Sequence, residues 1–264
     1  MLPLICLDVD GTLVGSSGRP SETLWHAAGR ARGRGQHLTL CTARLAAGPT
    51  RAWAEQLDPD GWHVFHAGAA RWHPSSGEVR IAPLPPEAVA RCAKIAEHRG
   101  WVFEAYAWDD YVVDRDTALA RDHAGLLGLT LPSGSLSDLA DPVVRVQFVV
   151  PIAEAAEAIA AAPTGTVASG ATSPVMADAA FVSLTADGVS KAAGVAAVAR
   201  DLGVGVERVM MVGDGHNDLS AIEAVGWGVA MGNASPEVKA AARLEVVEVD
   251  AGGAADAIDR SALL

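Results

Sequence analysis

Acidic side chains follow the first apolar run of the chain. The run Leu4–Leu7 is directly followed by Asp8 and Asp10, and Gly11 comes next. This pattern predicts a strand over Leu4–Val9 that is buried on both faces, with a tight turn at the glycine. In open α/β sheets, ligands bind at the carboxyl ends of strands. Two carboxylates at that edge can serve as nucleophile and general acid/base, with a hard cation beside them.

Three more segments place polar side chains at predicted strand ends or helix starts. These side chains are Thr42 after the second strand, Lys191 at a helix start, and Asp214, Asn217 and Asp218 after another buried strand. Together with the first pair of acids, they supply a nucleophile, an acid/base, a hydroxyl donor, a cation and metal ligands. This set is what phosphoryl transfer through an aspartyl-phosphate requires.

A metal ion is expected because an anionic nucleophile repels an anionic phosphate. Mg²⁺ between Asp8 and Asp214 removes this repulsion. The backbone carbonyl of Asp10 and water molecules fit the octahedral oxygen coordination that Mg²⁺ prefers, with Asn217 or Asp218 ordering the waters. Magnesium is therefore the expected cofactor.

The same residues carry a resemblance to a known family. The chain resembles the haloacid-dehalogenase-like phosphohydrolases, and specifically the Cof-like type IIB branch. The matching segments, in chain order, are DVDGTL at Asp8–Leu13, Thr42, GVSK ending at Lys191, GDGHND at Gly213–Asp218, and Met231–Ala234. The resemblance implies an α/β fold with a Rossmann-like parallel-sheet core and an inserted α+β cap.

The resemblance also implies a role for each matched position. Asp8 is the expected nucleophile and metal ligand, and Asp10 is the expected general acid/base. Phosphate binding is implied for Thr42 and Lys191. The remaining matched positions are expected to bind Mg²⁺ or to support its site, and they are Asp214, Asn217 and Asp218.

Three other positions are ambiguous. Arg44, close to Thr42, is expected either to contact the substrate or cap, or to form a surface ion pair. Asn233 is interpreted as a turn residue, with a supporting role at the site as the alternative. The triplet Ala67–Ala69 stands where related chains often have Asn-Gly-Ala, so this chain lacks the asparagine that could contact the substrate there.

Strand and helix patterns predict the domain organisation. Alternation of strands and helices predicts a parallel sheet with right-handed crossovers. Only one loop and one helix fit between Asp10 and Thr42, whereas the interval from Thr42 to Lys191 leaves room for a second domain. We expect core segments at 1–83 and 186–264 and a cap at 84–185. At residues 235–236 a Ser-Pro pair predicts the start of a helix, and 245–249 is the predicted last strand.

Composition narrows the class of protein. The chain has 264 residues, of which 50% are hydrophobic, and a net charge of -12. This charge argues against nucleic-acid binding through a general basic surface. The three cysteines show no metal-ligand spacing, and no apolar run is long enough to span a bilayer. We expect a cytoplasmic protein that binds neither nucleic acid nor membrane; its oligomeric state is open.

The predicted function is hydrolysis of a small phosphorylated metabolite, such as a sugar phosphate, by a Mg²⁺-dependent phosphatase. A phosphomutase acting on a hexose phosphate is an alternative, although its family has a differently spaced acidic motif. A non-catalytic binding protein with the same fold is a second alternative. The presence of Asp8, Asp10, Lys191 and Asp214 argues against loss of turnover. These motifs do not identify the substrate.

Overall fold

Strands and helices alternate along much of the chain. A computed structural model of the protein describes residues 1–132, 134–173 and 176–264. In these residues the strands are β1 (Leu4–Leu7), β2 (His37–Leu40), β3 (His63–Phe65), β4 (Ala70–His73), β5 (Glu78–Ile81), β6 (Val102–Tyr106), β7 (Tyr111–Val113), β8 (Arg145–Pro151), β9 (Thr166–Ser173), β10 (Met176–Ala186), β11 (Val209–Gly213), β12 (Trp227–Ala230) and β13 (Leu244–Glu245). The α-helices are α1 (Glu22–Gly33), α2 (Gly48–Leu57), α3 (Pro86–Arg99), α4 (Ala118–Leu126), α5 (Ala155–Ala160), α6 (Lys191–Asp201), α7 (Leu219–Ala224), α8 (Pro236–Ala241) and α9 (Gly253–Arg260). None of these helices has the length and apolar character needed to cross a membrane.

The described residues divide into two compact units. The first unit comprises Met1–Ala43, Arg51–Arg80 and Ser190–Leu264, and the second comprises Arg44–Thr50 and Ile81–Val189. Each unit is therefore built from segments that are separated in the sequence. The assignment of a core role to the first unit and a cap role to the second stays a prediction.

A parallel sheet forms the centre of the first unit. Its five strands have the order β13-β12-β11-β1-β2, and all neighbours pair in parallel. Strand β1 lies between β11 and β2, and every one of its residues is buried. This is the environment in which an uninterrupted apolar run is expected. The predicted α/β fold with a Rossmann-like sheet is confirmed.

The chain turns away from this sheet directly after β1. The sequence predicted a strand through Val9, but the strand ends at Leu7. The carbonyl oxygen of Val9 accepts hydrogen bonds from the backbone N–H groups of Leu13 at 2.9 Å and Val14 at 2.8 Å. Val9 therefore closes a turn instead of extending the sheet, and Asp8 lies between the strand and this turn.

In the described part of the first unit, serine side chains cap the starts of helices α1, α6 and α8. Ser235 accepts a hydrogen bond from the backbone N–H of Val238, and Pro236 is the first residue of α8. This confirms the predicted helix start. At α6, the hydroxyl oxygen of Ser190 accepts from the backbone N–H of Ala193 at 3.1 Å. Lys191 is therefore held in the first turn of its helix.

An antiparallel sheet organises the second unit. Its five strands have the order β7-β6-β8-β10-β9. Helices α3 and α5 pack on one face, in a core that contains Trp101 and Phe148. Helix α4 packs on the other face, in a core that contains Tyr106 and Phe181. Leu45 joins this second core, which explains why residues 44–50, expected in the core domain, group with the second unit.

Candidate active site

Asp8 lies at the carboxyl end of β1. Its backbone N–H donates to the carbonyl oxygen of Val212 at 3.0 Å, which continues the pairing of β1 with β11 by one residue. The carboxylate is buried, and its Oδ1 accepts a hydrogen bond from Nζ of Lys191 at 2.5 Å. The predicted nucleophile and the predicted cation are therefore in direct contact.

Lys191 is a buried cation held between two carboxylates. Its Nζ also donates to Oδ1 of Asp218 at 2.6 Å, and its side chain is fully buried. Burial lowers the pKa of Lys191, but attraction by Asp218 and Asp8 outweighs burial and raises this pKa above its ordinary value. Lys191 therefore stays positively charged at any physiological pH.

The loop after β11 supplies two further carboxylates. Asp218 is fully buried, and its Oδ2 accepts hydrogen bonds from the backbone N–H groups of Asp214 at 3.2 Å and Gly215 at 3.1 Å. Asp218 thus fixes the shape of this loop while it contacts Lys191. One oxygen each from Asp8, Asp214 and Asp218 lie within 4.8 Å of one another. We call these three residues the carboxylate cluster.

The carboxylate cluster has the donor chemistry of a site for a hard divalent cation. Burial and repulsion by Asp218 raise the pKa of Asp8 well above its ordinary value. The same causes, in the same order, raise the pKa of Asp214 to about 6. A divalent cation among these oxygens would oppose the repulsion and favour their ionised forms. Because Mg²⁺ prefers oxygen ligands, the residues present fit this ion.

The Asp214 carboxylate lies against the turn that follows Asp10. Gly11 has a φ of +77°, and a Cβ atom at this position would lie 2.1 Å from Oδ2 of Asp214. A glycine is therefore required here for both its backbone conformation and its lack of a side chain. The hydroxyl of Thr12 donates to Oδ1 of the same carboxylate at 3.4 Å. The Asp-Gly-Thr sequence shapes a turn against which the acid of a distant loop can pack.

Four further residues that the sequence singled out are not members of the carboxylate cluster. Asp10 is exposed, two residues beyond Asp8 in the turn. Thr42 is buried after β2, where its backbone N–H donates to the Val64 carbonyl at 2.9 Å. Asn217 is exposed in the loop between Asp214 and Asp218, and Arg44 is half-buried and belongs to the second unit. Their assigned roles stay predictions.

Asn233 forms hydrogen bonds with Gly11 and Asp214 that its sequence position did not predict. The preferred interpretation was a turn residue, yet Nδ2 of Asn233 donates to Oδ2 of Asp214 at 3.2 Å and to the Gly11 carbonyl oxygen at 2.8 Å. The one sequence signal was its place in Met231–Ala234, the last segment of the family resemblance. Residue type alone did not distinguish a turn from a contact across the site.

The triplet Ala67–Ala69, which departs from the family pattern, begins with a residue of positive φ. Ala67 has a φ of +54°, in the left-handed region that asparagine tolerates better than alanine. Its backbone N–H donates to the carbonyl oxygen of Thr42 at 2.9 Å. Ala67 therefore adopts this left-handed conformation beside Thr42 without an asparagine side chain.

Comparisons with known proteins agree with the observed fold. The family model described as haloacid dehalogenase-like hydrolase matches residues 5–258. Among curated proteins, the putative phosphatase YxeH of Bacillus subtilis (strain 168) is 25% identical, over 98% of this chain and 97% of that protein.

Solved structures match the whole chain. A haloacid dehalogenase-like hydrolase from Bacteroides thetaiotaomicron is 27% identical with a TM-score of 0.85, over 98% of this chain and 99% of that one. The subclass IIB sugar phosphatase BT4131 is 24% identical with a TM-score of 0.84, over 99% of both chains. The similarity to BT4131 shows a shared fold.

Proposed function

The chain belongs to the haloacid dehalogenase-like hydrolase family, and on this premise we propose that it is a Mg²⁺-dependent phosphatase. The proposed reaction is hydrolysis of a small phosphorylated metabolite through an aspartyl-phosphate on Asp8. The observation that supports it most directly is the contact between Asp8 and the buried Lys191, next to the other acids of the carboxylate cluster. A buried nucleophile beside a fixed cation suits attack on an anionic ester.

The first proposed step transfers the phosphoryl group to the protein. A carboxylate oxygen of Asp8 attacks phosphorus, and the bond between phosphorus and the ester oxygen breaks. Asp10 donates a proton to the leaving oxygen, which departs as an alcohol. The exposure of Asp10 suits this role, because a general acid must reach both the substrate and the solvent.

The second proposed step returns the protein to its starting state. A water molecule attacks the phosphorus of the aspartyl-phosphate, and Asp10, now ionised, accepts its proton. The bond between phosphorus and the Asp8 oxygen breaks, which restores the carboxylate and releases inorganic phosphate. One residue therefore serves first as acid and then as base, because the proton transfer of the second step runs in the reverse direction to that of the first.

Charge balance at the phosphoryl group depends on cations and hydroxyl donors. An ammonium group has three N–H donors, and two carboxylates use two of those on Lys191, so the third is left for a phosphoryl oxygen. Thr42 is the proposed second donor, and Arg44 is a proposed contact to the substrate. Asp8, Asp214 and the Asp10 carbonyl would hold Mg²⁺, which would supply further neutralisation of negative charge.

A sugar phosphate is the substrate class that we propose to test first. The structural neighbour BT4131 is described as a sugar phosphatase, and YxeH as a putative phosphatase. The second unit is proposed to act as the cap that selects the substrate.

The test is phosphate release from p-nitrophenyl phosphate and a panel of sugar phosphates, with and without Mg²⁺. We expect Mg²⁺-dependent release by the wild type and a loss of at least about 1,000-fold in Asp8→Asn, since the nucleophile is removed. Asp259→Asn is the matched control, because Asp259 forms an exposed ion pair with Arg30. Equal activity of Asp8→Asn and wild type would refute the proposal, and transfer of phosphate to a second sugar position would favour a phosphomutase.

A further inference from the structure

The side chain of Asn233 joins three separate segments of the first unit. Its Nδ2 donates to the carbonyl oxygen of Gly11 at 2.8 Å and to Oδ2 of Asp214 at 3.2 Å. Its Oδ1 accepts from the backbone N–H of Val249 at 3.0 Å. The first two partners only accept hydrogen bonds and the third only donates, so a single orientation of the amide satisfies all three.

The contact with Asp214 bears directly on the carboxylate cluster. Asp214 has two negatively charged neighbours in this cluster, Asp8 and Asp218, and repulsion would rotate an unrestrained carboxylate away from them. Thr12 donates to Oδ1 of Asp214, and Asn233 donates to Oδ2. Donors on both oxygens leave the carboxylate little freedom to rotate.

At position 233, an amide side chain can make these three hydrogen bonds, whereas a carboxylate cannot make all of them. Asn233 supplies donors to the carboxylate and to the Gly11 carbonyl without adding negative charge. An aspartate has the same shape and keeps an oxygen that can accept from Val249. It loses the N–H donors, however, and directs a fourth carboxylate toward the cluster.

We propose that Asn233 is a positioning residue that holds the Asp214 carboxylate in the orientation needed to bind a divalent cation. This inference rests on the proposed function, because it concerns the cation that the proposed reaction uses. Partners that orient metal ligands typically change metal affinity by about 10-fold to 100-fold when they are removed. Asn233 acts on Asp214 and does not touch the reacting atoms.

The experiment measures cation binding without substrate. Mn²⁺, whose free form is detected by electron paramagnetic resonance, is titrated into the wild type and into Asn233→Ala, Asn233→Asp and Asp250→Ala. We expect about 10-fold weaker binding in Asn233→Ala, and weaker binding than in the wild type in Asn233→Asp, because both variants lose the N–H donor to Asp214. Asp250→Ala is the matched control: Asp250 accepts from the backbone N–H of Ser16 at 3.0 Å and so joins the loop just after this turn to the same C-terminal segment.

The variants separate positioning from simple structural support. If Asn233 only anchored the C-terminal segment, Asn233→Asp would bind Mn²⁺ like the wild type, because it keeps the acceptor for Val249, and Asp250→Ala would bind as weakly as Asn233→Ala. Either result would overturn the inference. A parallel assay with p-nitrophenyl phosphate should show a higher Mg²⁺ requirement in Asn233→Ala with a smaller change in kcat. If the wild type binds Mn²⁺ but hydrolyses nothing, the proposed function fails while the binding comparison still decides the role of Asn233.

Discussion

At the scale of single residues, the pairing of Lys191 with two buried acids dominates the site. Replacing Lys191 with methionine leaves Asp8 and Asp218 buried without their shared cation, and we expect a loss of about 3–5 kcal/mol in the free energy of unfolding. Urea unfolding in the absence of Mg²⁺ measures this loss. Adding Asp218→Asn to Lys191→Met should recover part of it, because one uncompensated charge is removed.

Lys239 offers a matched control for this prediction. Its Nζ lies 2.7 Å from Oε1 of Glu245 in a partly exposed ion pair. Because water screens this pair, Lys239→Met should change the free energy of unfolding by less than about 1 kcal/mol. A Lys191→Met protein as stable as Lys239→Met would contradict the claim that the buried contacts are strong.

Sequence could predict the residue types of the site better than their contacts. Asp8, Asp214 and Lys191 follow or begin regular elements, so their placement at one sheet edge follows from an α/β fold. The bond between Lys191 and Asp218 depends on how the loop after β11 folds back on itself, and the Asn233 contact joins residues 222 positions apart. Neither contact has a local pattern that could have predicted it.

At the scale of elements, His63 links β3 to the end of the preceding helix and strand. Its Nδ1 accepts from the backbone N–H of Leu40 at 3.1 Å, so its Nε2 carries the proton and donates to the Asp58 carbonyl at 2.8 Å. Burial lowers the pKa of His63 to about 4 from an ordinary value of 6.5. The ring is therefore neutral in the folded protein near neutral pH.

This pKa difference predicts a pH-dependent stability. As the pH falls below 6.5, His63 becomes protonated in the unfolded chain but stays neutral in the folded chain until about pH 4. The free energy of unfolding should therefore fall by roughly 3 kcal/mol across this window. Denaturant titrations from pH 7 to pH 4 should show a smaller fall in His63→Gln than in wild type. The exposed His26→Gln control should keep the wild-type profile; the same profile in His63→Gln would exclude His63 as the cause.

The elements themselves were predictable where the sequence pattern is strong. Apolar runs predicted the central strands of the first unit, and the Ser-Pro pair predicted the start of α8. The last strand was predicted at 245–249, but β13 covers only Leu244–Glu245. Beyond it, the Val247 carbonyl accepts from the backbone N–H of Gly232, and a turn follows at Val249–Ala251. These tertiary contacts override the strand preference of the valines.

At the scale of the whole molecule, the chain is acidic and its carboxylate cluster lies within one unit, so a bound divalent cation should stabilise that unit. The chain has a net charge of -12, and the three acids of this cluster all belong to the first unit. A divalent cation bound there must therefore stabilise the folded first unit relative to its unfolded state. At 100 times its dissociation constant, a single ion contributes about 2.7 kcal/mol.

Hydrogen exchange can locate this stabilisation in the molecule. Saturating Mg²⁺ should slow exchange of the backbone amides in β1 and β11, whose carboxyl ends carry Asp8 and the Asp214 loop. Strands β6 and β8 of the second unit supply no acid to the cluster, so their amides should gain much less protection. Asp214→Asn should abolish the Mg²⁺ effect, and NaCl at matched ionic strength should not reproduce it. An equal gain of protection in both units, or a full effect in Asp214→Asn, would mean that Mg²⁺ acts on the chain by general screening instead of at the carboxylate cluster.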